Sequence, residues 1–408
     1  MTQTYFPDPR VRQRLYEGPL AICIDAFAER LTGQGYSGAT AREKLRLVAH
    51  LSRWLDGNKL RAEDLNEACI ARFRRYRRRL GRLDHQAAST CKALLAQLRG
   101  AGVIPPVRDP REDNAQRRIE DDYEAYLVRE RGLAPATIVN YTAIVRDFLA
   151  ANPKLPDTLC PDDLHAFIRR RSTKLSRRRL QLVVTGLRRF LRYLQQRGAI
   201  RTDLAAAVPT VACWRCAEVP KTITPAQVER LLTSCDPATA AGRRDRAILL
   251  LLARLGLRAS EVVALRLDDI DWDTGSFIVQ GKGSRREVMP LFDDVGQALA
   301  DYLSDGRPVC ASRRVFVRLC APYRGLKSPS SLCDIVKRAL ARAGIDAPFK
   351  GAHLLRHSLA TRLLGSGASL AEIGELLRHQ RLETTQIYAK LDLGALRSLA
   401  QPWPGGAP

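Results

Sequence analysis

Gly351-Ala-His353-Leu-Leu-Arg356-His357 and, further on, Leu377-Arg378-His379 followed by Thr384-Thr385-Gln386-Ile387-Tyr388 are the stretches on which the reading of this chain turns. Both are helical in pattern. Side chains three or four apart then share a face, so His353 projects beside Arg356. His357, at i+4 from His353, is either a second site residue or a packed histidine. His379 and Tyr388 come from two later helices. An imidazole titrates near neutrality, a guanidinium stays charged, and a phenol becomes a nucleophile once it loses its proton. Together such groups can do chemistry on a phosphate. A helical tyrosine taken singly is ordinarily core, so the rest of the chain has to supply the missing parts.

The 408 residues include 67 Lys and Arg against 43 Asp and Glu, a formal net charge of +24. A surplus of that size favours a polyanionic partner, nucleic acid first. A merely solvated basic surface is the alternative. At about 150 residues per domain, the length predicts two or three domains. The segment Met1–Asp8 has no basic start followed by an apolar run, so it is not a signal peptide. The longest apolar stretch, Ala247–Ala253, is too short to span a bilayer. Ten cysteines are scattered without secretory features, which points to a reducing cytoplasm. Cys213-Trp-Arg-Cys216 is a lone CxxC without two further ligands nearby, so no metal is expected there.

Residues 1–16 read as an extended lead-in. Helical patterning begins near Ala21 and recurs through Gly102. The same plan then repeats. Gly35-Tyr-Ser-Gly-Ala39-Thr40 is echoed by Gly132-Leu-Ala-Pro-Ala136-Thr137, and Leu60-Arg-Ala-Glu-Asp64-Leu65 by Leu159-Cys-Pro-Asp-Asp163-Leu164. Leu95–Leu98 before Gly102-Val-Ile104 is echoed by Leu191–Leu194 before Gly198-Ala-Ile200. A Pro-rich linker, Val103–Pro110, lies between the copies. Two related helical domains are expected, over residues 17–105 and 114–205. Each carries a basic run on a later helix: Arg74, Arg75 and Arg78 in the first, and Arg169, Arg170, Arg171, Lys174, Arg177 and Arg178 in the second. Clustered arginines can pair bidentately with phosphate oxygens, which gives affinity and register rather than sequence readout.

A third domain is expected over 220–395, with a tail over 396–408. Thr224-Pro225 opens a helix with a capping Thr and Pro at the first turn. Ala247–Ala253 is a core helix. Gly256-Leu-Arg258-Ala-Ser260-Glu261 is a turn running into a new helix, and Glu261 is the natural salt-bridge partner of Arg258. Ser276–Gln280, a Gly-rich turn bearing Lys282, and Arg285–Leu291 form a strand, turn and strand. A lone hairpin lysine is ordinarily a soluble tip. Helices are expected around Val295–Leu303, Ser331–Ala343, His353–Leu364, Leu370–Leu377 and Thr384–Leu391, with a short strand at Arg314–Val317.

The constellation is more specific than its parts. Gly256-Leu-Arg258-Ala-Ser260-Glu261, Lys282 in a turn, His353-Leu-Leu-Arg356-His357, His379 and Tyr388 together resemble the tyrosine recombinase, or phage integrase, family in order and spacing. The resemblance covers roughly residues 220–395, and the second helical repeat looks like the family's core-binding domain. It implies a fold that is mainly α with a small β-sheet: two helical, SAM-like DNA-binding domains and a mixed α/β catalytic domain. It also implies roles. Arg258 and Arg356 would clamp the phosphate, Lys282 would protonate the departing 5′-oxygen, and His353 would act in acid–base chemistry. His379 would donate to the scissile phosphate, and Tyr388 would be the nucleophile. Two departures are visible: Arg378 stands where the family usually has Gly, and Ala-Lys follows Tyr388 where Thr-His is common.

The physics agrees with those roles. Attack on a phosphodiester builds negative charge that two guanidiniums stabilise without titrating. A covalent phosphotyrosine conserves bond energy, so rejoining needs neither ATP nor metal, and no cofactor is expected. The activity implied is site-specific cutting and rejoining of DNA for integration, excision or transposition of a mobile element. A homo-tetramer on DNA, or a mixed assembly with related recombinases, is implied with it. Topoisomerase-like relaxation by the same chemistry, and a DNA-binding protein with a decayed site, are the alternatives.

Overall fold

A computed structural model describes residues 2–81, 86–106, 115–152, 156–212, 219–281 and 285–391. Lys282, the Cys213–Cys216 pair, the second half of the Pro-rich linker and the tail 396–408 lie outside the described residues. The chain divides into two compact units, Met1–Pro106 with Glu218–Pro408, and Val107–Ala217. No helix among the described residues is long and apolar enough to cross a membrane.

The N-terminal core runs from Tyr5 to Ile104. The extended lead-in expected over 1–16 is instead two helices, Thr2–Tyr5 and Pro9–Leu15. The local signal is Asp8-Pro9. The Asp8 carboxylate accepts from the Arg10 amide at 2.8 Å, and Pro9 sits where its missing N–H costs nothing. Tyr5, Phe6 and Leu15 are then carried into the core.

The repeat is visible in three dimensions. Helices Gly38–Gly57, Glu67–Arg79 and Ala87–Gly100 correspond to Pro135–Ala151, Pro161–Ser172 and Arg177–Gln196. Each copy ends alike: Gly102 and Gly198 have φ of 71° and 72°, and Val103 N–H to Leu98 and Ala199 N–H to Leu194 both measure 2.9 Å. Glycine tolerates the left-handed conformation that lets the chain turn back and satisfy a terminal carbonyl. In the second copy, Tyr123, Phe148, Phe167 and Phe190 are buried at the centre.

The third core is built on Ala240–Arg254, whose residues 247–253 are all buried. A helix apolar on every side has to be surrounded. Asp293–Asp305 and His353–Gly365 pack against it. Burying each leucine there contributes about 1.5–3 kcal/mol. An antiparallel sheet flanks the core in the order β1 (Ile270–Asp271), β2 (Ser276–Gln280), β3 (Arg286–Pro290). Alternation puts Phe277, Val279 and Met289 inward and leaves Val288 70% exposed. The strand expected at 314–317 reduces to isolated bridges, Arg266 with Arg314 and Val317 with Gly325, and β1 was not foreseen. Leu359, Ala360, Ile373, Leu377 and Tyr388 form a small final core.

Candidate active site

The site starts at a glycine. Gly256 has φ 58°, and a Cβ there would lie 2.6 Å from Leu377 Cδ2 and 3.0 Å from Leu359 Cδ2. Only glycine allows both the turn and the approach. The turn presents Arg258 at the start of the helix Ala259–Ala264. Arg258 is both ion-paired and in the site. Its Nη1 donates to Glu261 Oε1 at 2.7 Å, its amide donates to Glu261 Oε2 at 2.8 Å, and its Nη2 donates to the Arg378 carbonyl at 2.9 Å. Its side chain remains 30% exposed. Burial alone would raise the Glu261 carboxyl. Arg378 and Arg258 outweigh that and hold it below the usual carboxylate range.

Arg356 lies on the helix His353–Gly365 and is buried. Its guanidinium donates to the carbonyls of Gly256 and Leu377. It therefore joins the Arg258 turn to the end of the helix Leu370–Leu376. Burial pushes its pKa down to about 10, aided by Arg258 and Arg378. It is still charged at neutral pH.

Tyr388 is reached by the short helix Leu382–Thr385 and then a 3-10 turn, Gln386–Leu391, rather than by the α-helix expected over Thr384–Leu391. It is buried, and its hydroxyl lies 2.8 Å from His357 Nδ1. Burial pushes the phenol up to about 12, with Arg356 opposing. His379 Nδ1 lies 2.8 Å from Thr385 Oγ1. His353 is exposed on its helix, its ring centroid 6.2 Å from that of His357.

The structure thus gathers Arg258, His353, Arg356, His379 and Tyr388. Lys282 lies outside the described residues, although the strands on either side of it are in place. The expectations left His357 open between packing and site. The fold sets it against the tyrosine hydroxyl. Sequence reasoning gave no role to Arg378, whose only signal was its departure from the family pattern, and named Glu261 only as an ion-pair partner.

Burial pushes His357 down to about 4, helped by His353 and Arg356, and pushes His379 down to about 4, helped by Arg356 and Arg258. An unfolded histidine titrates near about 6.5. Between those values the unfolded chain binds more protons, so stability falls as pH drops through that window. His357→Gln cannot titrate and should lose part of this slope. Thermal midpoints measured from neutral pH down to about 4 check it; a variant falling as steeply as wild type would rule out His357 as a source.

The basic clusters are exposed at Arg74, Arg75 and Arg78 on Glu67–Arg79, and at Arg169, Arg170, Lys174, Arg177 and Arg178 in the second repeat. Arg171 differs. It is half-buried, pairs with Asp147 at 2.8 Å and lies over the Phe167 ring at 5.5 Å.

Comparison with known proteins converges. The sequence model of the phage integrase family matches residues 221–393, and that of the phage integrase N-terminal SAM-like domain matches 121–198. A Sinorhizobium fredii protein named as integrase/recombinase y4rA is 46% identical over 398 residues, covering 96% of each chain. The tyrosine recombinase XerD of Lacticaseibacillus casei is 32% identical over 274 residues, 66% of this chain and 92% of its own. Among solved structures, XerH site-specific recombinase bound to palindromic difH substrate shares the fold at TM-score 0.54 and 21% identity, over 70% of this chain and 84% of that one.

Proposed function

This chain belongs to the phage integrase family of tyrosine recombinases, and from that premise we propose that it cuts and rejoins double-stranded DNA at a specific site through a 3′-phosphotyrosine intermediate. The observation that carries the proposal is the convergence of Arg258, Arg356 and His379 around a tyrosine whose hydroxyl is held by His357.

The steps follow from the groups present. The scissile phosphate enters beside Arg258, the more exposed of the two arginines, and Arg356 presents its charge from behind. Their fixed positive charge stabilises the oxygens as the phosphorus becomes crowded. Tyr388 Oη attacks phosphorus as its proton passes to a nearby base, and the P–O5′ bond breaks. The 5′-oxygen leaves as a hydroxyl with a proton from Lys282. A 5′-hydroxyl of a partner strand reverses these steps and regenerates the tyrosine. The phenol is a poor nucleophile while its pKa is raised by burial, and the positive charge of Arg356 opposes that rise. Neither step consumes a nucleotide or passes through a metal.

We assign residues 17–105 and 114–205 to DNA contact, 220–395 to catalysis and 396–408 to contact with a neighbouring subunit, in a tetramer that serves a mobile element. The direct test is incubation with nicked suicide DNA carrying the flanking site. A denaturation-resistant adduct mapped to Tyr388 is expected; absence of adduct on DNA that the protein demonstrably binds would sink the proposal.

The basic clusters give a separate expectation. Arg169→Ala with Arg170→Ala should weaken binding across sequences and reduce the steepness of log K against log salt by about 2, since each phosphate contact contributes about 0.9. Arg171 is left intact because Asp147 already holds it. Binding isotherms at several salt concentrations decide this, and an unchanged slope counts against phosphate contact there.

A further inference from the structure

Tyr388 is 1% exposed, so its ring meets protein rather than bulk water. His357 Nδ1 lies 2.8 Å from Tyr388 Oη, and the two rings are inclined at 60° with centroids 5.7 Å apart. That distance allows direct proton transfer. His357 comes from the helix His353–Gly365 and Tyr388 from the turn Gln386–Leu391, which packs on that helix. His353, to which the family resemblance gives the acid–base work, stands exposed one turn earlier, its ring centroid 6.2 Å from that of His357. The charged and titratable groups acting on His357 are His353 and Arg356 on its own helix, His379 just beyond Leu370–Leu376, and Tyr388 itself. Burial, His353 and Arg356 push the imidazole down to about 4, and burial pushes the phenol up to about 12. At rest, therefore, the imidazole is neutral and the proton stays on the phenol. A neutral imidazole has one bare nitrogen, and with its proton on Nε2 that nitrogen is Nδ1.

We propose that His357 is the general base of the cleavage step: with its own proton on Nε2, it takes the Tyr388 proton at Nδ1 as Oη bonds to phosphorus. The inference rests on the phosphotyrosine reading above and names the base which that reading leaves open. The Oη–H bond breaks as the Oη–P bond forms, and the proton ends on Nδ1. The P–O5′ bond breaks, and the 5′-oxygen takes its proton from the general acid. In rejoining, the His357 imidazolium returns the proton to Oη as the P–Oη bond breaks. Two changes turn the resting pair into a working one. An oxygen forming an ester with phosphorus loses its basicity, so its proton has to go while the bond forms. The scissile phosphate also brings negative charge toward Arg356 and His357, which favours the imidazolium and raises its pKa above the free value.

The test follows single-turnover adduct formation by the full-length protein on suicide DNA, between about pH 4 and about pH 9. A base works only when neutral. The wild-type rate should therefore be level near neutrality and fall as pH drops through the imidazole pKa of the complex, above about 4. His357→Asn puts an amide oxygen near the place of Nδ1, which accepts the phenol's hydrogen bond and cannot take its proton. It should bind the DNA as wild type does and slow adduct formation at neutral pH by about 10²–10⁴-fold. Its acid limb should vanish, and its rate should climb about tenfold per pH unit, since only ionised phenol then reacts. His357→Gln should show the same profile, and thermal midpoints measured alongside identify a variant that folds poorly. A merely structural histidine predicts a slower rate with the wild-type profile, and that outcome would overturn the inference. So would a rate for both variants within about threefold of wild type, or faster. An acid limb that survives in His357→Asn and vanishes in His353→Gln moves the base to His353 and overturns it too. A wild type that forms no adduct on DNA it binds overturns the phosphotyrosine reading instead.

Discussion

Tyr388→Phe is expected to form no covalent adduct with suicide DNA, while binding the same DNA as wild type does. The substitution removes one oxygen from a buried ring and keeps its packing against Leu359, Ile373 and Leu377. What it deletes is the proposed attacking atom, together with the 2.8 Å contact to His357. Loss of a nucleophile costs several orders of magnitude in rate, about 10³-fold or more. His357 is then left without the hydroxyl, a cost of about 1 kcal/mol in stability. Gel separation after denaturation reads the adduct, and a mobility shift reads binding. An adduct in Tyr388→Phe at a rate near wild type would show that another residue attacks.

Arg356→Ala should fail twice. As the charge proposed to stabilise the scissile phosphate, its loss should slow adduct formation by about 10²–10³-fold, the range for removing one preorganised stabiliser of developing charge. As a structural group, it satisfies the carbonyls of Gly256 and Leu377, and both would be left buried without their donor. An unsatisfied buried acceptor costs about 1–3 kcal/mol, so the thermal midpoint should fall as well. Arg356→Lys separates the two parts. The ammonium keeps the charge but cannot present a planar fork to two carbonyls, so it should recover some rate and little stability. Adduct kinetics alongside thermal unfolding check this. An Arg356→Ala protein with a wild-type midpoint would mean that the two carbonyl bonds contribute nothing.

These expectations involve partners close in space and distant in the chain, which is where sequence reading ended. The helices around Arg356 and the apolar run 247–253 were legible because helical periodicity is local. The Thr224 cap was legible for the same reason: its hydroxyl receives the Gln227 amide at 3.2 Å, three residues away. The two-residue strand β1 escaped notice because it has no period to detect. The N-terminal helices escaped notice although Asp8-Pro9 carried a readable signal, because each is short and weakly patterned. The 3-10 geometry at Tyr388 depends on how Gln386–Leu391 packs on His353–Gly365.

By itself, the sequence determined that this is a strongly basic chain with a repeated helical plan, and that Arg258, Arg356, His379 and Tyr388 occur in the order of a known chemistry. The order of reacting groups survives in sequence because each motif is defined by neighbours a few residues apart. Only the tertiary structure decided what each group touches. It set His357 on the Tyr388 hydroxyl across 31 residues, and it let Arg378 close a ring with Arg258 and Glu261 across 120 and 117 residues. It also paired Arg171 with Asp147. The physical reason is that a hydrogen bond or ion pair is specified by position to within a few tenths of an ångström, whereas periodicity specifies only which face of an element a residue occupies.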